Sequence, residues 1–98
     1  MTEERKIKEK IKKYLKTNYP NAVIYFPIAS RFSQSGASDI LCCIDGKFVA
    51  LEVKTPIGKV TALQELFIQQ VREAEGVAGV VRSVEDVDEL LKLHALKE

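Results

Sequence analysis

The sequence predicts an α/β domain with a mixed sheet flanked by helices, in the order α-β-β-β-α-β-α. Two observations carry that reading. Apolar residues recur at helical spacing in three stretches that open on capping signals, and four shorter strand-like runs lie between them. Two of those runs are separated only by Asp45-Gly46, the dipeptide favoured by a tight hairpin turn. The 98 residues contain no internal repeat and no low-complexity linker, so one domain over residues 1–98 is expected.

In the first helix Ile7, Ile11, Tyr14 and Leu15 form an apolar stripe among lysines. Thr2 is its expected N-cap, Glu3 and Glu4 suit the positive end of its dipole, and Pro20 closes the segment. Residues 22–26 read as a strand ended by Pro27, and residues 28–38 as a loop. Residues 39–44 and 47–55 are the hairpin strands, the second ended by Pro56 and Gly58. Thr61 and Gln64 make a T-x-x-Q capping box ahead of Leu63, Leu66, Phe67, Ile68 and Val71, and Gly76 is expected to stop that helix. Residues 77–81 read as a buried strand. Ser83 and Asp86 then open a last helix carrying Val84, Val87, Leu90 and Leu91.

Composition excludes several classes of function. No run approaches the ~18 consecutive apolar residues that a membrane span needs, and the N-terminus lacks a signal peptide's apolar stretch, so no membrane partner is expected. Cys42 and Cys43 are adjacent and point to opposite faces of a strand, and no spacing resembles a zinc site. They read as structural thiols of a reducing cytoplasm, which sets the expected location. A Cys–His nucleophile with His94 would lack an orienting group. The net charge of +1 conceals an asymmetry. Residues 1–16 carry seven basic and three acidic side chains, whereas residues 61–98 carry four and eight. A basic front and an acidic back give one molecule two electrostatic faces.

The hairpin arithmetic yields the sharpest candidate site. A two-residue turn sets Ile44 opposite Lys47, and therefore Asp39 opposite Glu52, with Lys54 on the same face. Opposed carboxylates repel, so a strand pair that needed only stability would not hold them there. A hard divalent cation resolves the conflict. The bland reading is an exposed hairpin end whose Glu52 and Lys54 form a surface ion pair of little worth.

Gly36-Ala37-Ser38-Asp39, then twelve residues, then Glu52-Val53-Lys54, resembles the PD-(D/E)xK nuclease core, and the wider arrangement resembles its VRR-NUC branch. Glu4 occupies the place of that branch's first-helix carboxylate, with Glu3 as the alternative. Gly58, Thr61 and Gln64 follow Lys54 in the branch's order, and Val80-Val81-Arg82-Ser83 match the strand leading into the last helix. One departure is Ser38, where the family usually has proline before the aspartate. The resemblance implies a restriction-endonuclease-like fold and Mg²⁺ or Mn²⁺ held by Asp39, Glu52 and the backbone carbonyl of Val53, with Glu4 binding directly or through water. Such an ion activates water and polarises a phosphodiester. Lys54 would orient the water and neutralise charge on the phosphate. Gln64, at a helix start, would hydrogen-bond the water or the backbone phosphate, or is simply the capping-box partner. Lys6, Lys10, Lys13, Arg31 and Lys59 would contact DNA phosphates without reading sequence.

The function expected from this set is a metal-dependent endonuclease for branched, forked or four-way-junction DNA. Resemblance to junction resolvases adds a homodimer, and stand-alone copies of the domain are typical of phages and bacteria. The alternative is a non-catalytic double-stranded nucleic-acid-binding domain, because an α-β-β-β-α run also resembles the double-stranded-RNA-binding arrangement. Such a module has no use for Asp39 facing Glu52. A small structural or interaction protein with an inert hairpin end is a further reading.

Overall fold

Each helix begins where its capping residues dictate. The computed structural model describes residues 1–27 and 36–96. Helix α1 (Glu3–Asn18) starts at Thr2, whose side chain accepts the Arg5 N–H, and it buries Ile11 and Leu15 completely. Strands β1 (Val23–Tyr25), β2 (Ile40–Ile44) and β3 (Lys47–Val53) follow. After them come α2 (Ala62–Glu73), β4 (Val77–Val81) and α3 (Val84–Leu93), so the expected order α-β-β-β-α-β-α is present. Among the described residues no helix is long and apolar enough to cross a membrane.

The hairpin turn fixes the register of the sheet. Asp45 and Gly46 both take positive φ, 51° and 80°, as a type I′ turn demands. Ile44 pairs with Lys47 and Ile40 with Leu51, the register anticipated from the turn length. Strand β3 ends at Val53 rather than at residue 55. Lys54 still donates its N–H to the Val81 carbonyl at 3.1 Å, and the chain then turns over Thr55–Gly58 with the Gly58 N–H on the Thr55 carbonyl. The sheet order is β1-β2-β3-β4, antiparallel twice and then parallel, with α2 making the crossover between β3 and β4.

Alternation along β3 divides the molecule into two layers. Val49, Leu51 and Val53 join Ile11 and Leu15 of α1, Val87 and Leu91 of α3, and Val77 and Val81 of β4 in the main core. Ala50, on the opposite face, packs with Ala78 beneath Ile68 and Val71 of α2. Small alanines on that face let α2 lie close to the sheet. Glu52 shares the parity of Ala50 and so lies on the α2 side.

One helix end differs from expectation. Gly76 was the anticipated stop of α2, but the residue in the left-handed conformation is Glu75, with φ of 67°. Gly76 is required for space instead. A Cβ there would lie 2.7 Å from Val71 Cγ1 and 3.0 Å from the Phe48 carbonyl oxygen. Helix α3 opens on Ser83, whose hydroxyl accepts the Asp86 N–H, while the Asp86 carboxylate reaches back to the N–H of Arg82.

Candidate active site

Glu52 is the residue from which the site is built. It lies one position before the end of β3 and is only 2% exposed. Its Oε2 accepts a hydrogen bond from Gln64 Nε2 at 3.2 Å, and its Oε1 is buried without a donor. The Asp39 carboxyl lies within hydrogen-bonding reach of it. Burial, that contact, and the charges of Asp39 and Glu4 together push Glu52 up to about 8, against an opposing pull from Lys54. Near neutral pH Glu52 is therefore held largely in its protonated form, chiefly because burial penalises its charge.

Asp39 is held from two sides. Its Oδ2 accepts the Val53 N–H at 2.9 Å, and its Oδ1 faces Lys8 Nζ of α1 at 3.8 Å. The segment that delivers it is seated on α2. Gly36 takes φ of 83°, and a Cβ there would lie 2.4 Å from the Leu63 carbonyl oxygen, so only glycine fits. Ser38, directly before Asp39, is fully buried, and its hydroxyl has no hydrogen-bond partner.

Gln64 serves two functions with its two ends. Its Oε1 accepts the Thr61 N–H while Thr61 Oγ1 accepts the Gln64 N–H, closing the capping box. Its Nε2 remains to hold Glu52. The capping-box reading is therefore present in the fold, whereas the amide donor meets Glu52 rather than a water or a phosphate.

The remaining expected residues divide into near and far. Lys54 is half-buried, and its charge is felt at Glu52. Val53 contributes its N–H to Asp39. Glu4 is exposed in the first turn of α1 and acts on Glu52 only through its charge. Among the described residues no three His, Cys, Asp or Glu side chains converge as a ligand set, so the structure brings together a carboxyl pair rather than a triad. Lys6, Lys10, Lys13 and Lys59 are exposed. Arg31 lies outside the described residues.

Several residues near the site were not singled out from the sequence. Lys8 falls one helical turn after Glu4, and that spacing could have drawn attention to it. It lines a groove of about 360 Å³ with Glu4, Arg5, Lys12 and Phe26, where Lys12 Nζ stands 4.4 Å above the Phe26 ring. Arg82 donates from Nη1 to the carbonyls of Thr55 and Gly58, partners that leave no signal in a sequence.

Other chemistry lies elsewhere or is absent among the described residues. Cys42 is buried, which pushes its thiol up to about 12, while Cys43 is exposed on the other face. His94 caps the end of α3 with its Nδ1 at the Leu90 carbonyl. A cavity of about 650 Å³ lies at the hairpin turn, lined by Asp45, Lys47, Phe48, Phe67 and Gln70, away from the carboxyl pair. The chain matches no protein-family model and no curated protein.

Proposed function

We propose that the chain is a metal-dependent endonuclease of the VRR-NUC type, hydrolysing phosphodiester bonds in branched, forked or four-way-junction DNA. The observation that carries this reading is buried Glu52 set against half-buried Asp39, with one Glu52 carboxyl oxygen left unsatisfied. A buried orphan oxygen costs about 1–3 kcal/mol, which a fold has reason to tolerate only where a ligand satisfies it. The donor set fits a hard divalent cation, since both groups are carboxylates and both are held from behind. Asp39 and Glu52 would hold Mg²⁺ or Mn²⁺, which when bound supplies Lewis acidity toward the phosphodiester and toward water.

The protein's own residues supply the rest. Gln64 fixes the rotamer of Glu52, and Val53 fixes that of Asp39. Lys54, whose ammonium makes no hydrogen bond or ion pair among the described residues, would neutralise charge developing on the phosphate. The groove lined by Arg5, Lys8 and Lys12 also holds Glu4 and Glu9, the latter paired with Lys12 at 3.4 Å. With exposed Lys6 and Lys10 it gives the backbone a net cationic path toward Asp39. Phe26 adds an aromatic surface of the kind on which a base stacks. The overall charge of +1 is then no obstacle, because neutralising two site carboxyls leaves this face strongly basic.

Incubating forked, four-way-junction, linear and supercoiled DNA with Mg²⁺ or Mn²⁺ tests the proposal. Metal-dependent cleavage is expected, and Asp39→Ala or Lys54→Ala should lower it by at least about a hundredfold. Cleavage that survives either substitution overturns the assignment, and binding without cleavage would favour the non-catalytic alternative.

A further inference from the structure

Resting on the nuclease reading, we propose that Ile57 is a wedge that enters the base stack beside the scissile phosphate and so selects distorted or branched DNA. Ile57 is 90% exposed, more than any other large apolar side chain among the described residues. A single exposed apolar residue is ordinary on a protein surface. What distinguishes this one is its mounting.

Ile57 occupies the tip of a four-residue turn, Thr55-Pro56-Ile57-Gly58, closed by the Gly58 N–H on the Thr55 carbonyl at 3.0 Å. Pro56 presets φ at the first central position of that turn. Beneath it, the Arg82 guanidinium donates to the carbonyls at both ends, Thr55 and Gly58. The backbone of Arg82 is itself anchored, because its main-chain N–H donates to the Asp86 carboxylate at 2.8 Å. The tip is therefore rigid, and ordering an apolar side chain on a braced turn is wasted if only water meets it.

The turn also stands beside the proposed chemistry. Lys54 precedes it directly, and a Cβ on Gly58 would lie 3.5 Å from Lys54 Cβ, so the turn folds back onto the lysine. Exposed Lys59 follows the tip, ready for a phosphate. Apolar side chains such as Ile enter base steps and unstack them, and the energy required is least where stacking is already broken. A wedge next to Lys54 would thus favour cleavage at branch points without reading any base.

The test uses forked DNA with 2-aminopurine at the branch point, in buffer containing EDTA, so that no cleavage intervenes. Binding followed by anisotropy should be accompanied by a severalfold rise in 2-aminopurine fluorescence. Ile57→Ala should abolish that rise and lower the preference for forked over linear duplex on the order of fiftyfold, the loss expected for three buried carbons. Ile57→Leu should retain it, and Arg82→Gln should weaken it with Ile57 intact. An unchanged rise in Ile57→Ala, or no rise in the unsubstituted protein, overturns the wedge. A change of molecular mass in Ile57→Ala would assign the residue to a protein contact and overturn it too. Fluorescence rise without Mg²⁺-dependent cleavage keeps the wedge and removes the nuclease reading, whereas cleavage without a rise does the opposite.

Discussion

Glu52 is an acid kept largely neutral by its surroundings, and that makes it a reporter of its own site. Its carboxyl titrates near 8 in the fold against about 4.5 in a free chain. Between those values the native state holds a proton that the unfolded chain has released. Stability of the metal-free protein is therefore expected to fall as pH rises from about 4.5 to about 8 and to level off above, the reverse of a salt-bridged carboxylate. Thermal melts across this window should show the slope, and Glu52→Gln should flatten it and melt higher than the parent at about pH 8.5. Because a cation competes with that proton, Mn²⁺ should raise the Tm more at about pH 8.5 than at about pH 6. A flat profile in the unsubstituted protein, or an Mn²⁺ effect independent of pH, would contradict this account of the site.

The elements carrying these side chains are locked to one another by backbone contacts rather than by side-chain bulk. The hairpin supplies Glu52, but Asp39 precedes β2 and depends on Gly36 docking against the first turn of α2. Gly36→Ala is expected to destabilise the protein by about 2 kcal/mol or more, since left-handed strain adds to a clash with the Leu63 carbonyl. Gly46→Ala is the matched control. It has the same sign of φ but nothing within 4 Å of its Cβ, so about 1 kcal/mol is expected. Urea unfolding of the two variants measures the difference, and equal losses would remove the docking role assigned to Gly36.

At the scale of the whole molecule, helix α2 packs over β3 and β4, and no other described element covers the same face of β1 and β2. Val23, Tyr25, Cys43 and Phe48 share the face of Ala50 by register, and lie beyond the helix. With Leu63 and Leu66 of α2, the large apolar members of this patch are between 46% and 71% exposed. Their exposed parts amount to on the order of 500 Å² per copy, the size of patch that marks an interaction surface. Among the described residues the patch holds a ridge (the α2 leucines) beside an uncovered floor (β1 and β2), so a twofold can lay each ridge on the other copy's floor. Such a pairing would give the homodimer expected from the sequence on the order of 1,000 Å² of apolar contact between the copies. Light scattering should give twice 11.0 kDa, and Leu66→Glu or Val23→Glu should give a folded monomer by mass and circular dichroism. A monomeric mass for the unsubstituted protein at working concentration contradicts the dimer.

What could be read from residue order is local in origin. Thr2, Thr61 and Ser83 mark helix starts because a capping hydroxyl needs only a neighbouring N–H, and Asp45-Gly46 sets a register because its positive φ values admit one turn. That register was enough to set Asp39 opposite Glu52. Tertiary structure alone decided that Glu52 is buried with an unpaired oxygen, that Gln64 turns its free end toward it, and that Lys8 and Arg82 brace the neighbouring segments. It also decided that Gly76 serves packing while Glu75 turns the chain. Those facts depend on desolvation and on contacts between residues far apart in the chain, and no periodicity or spacing encodes them.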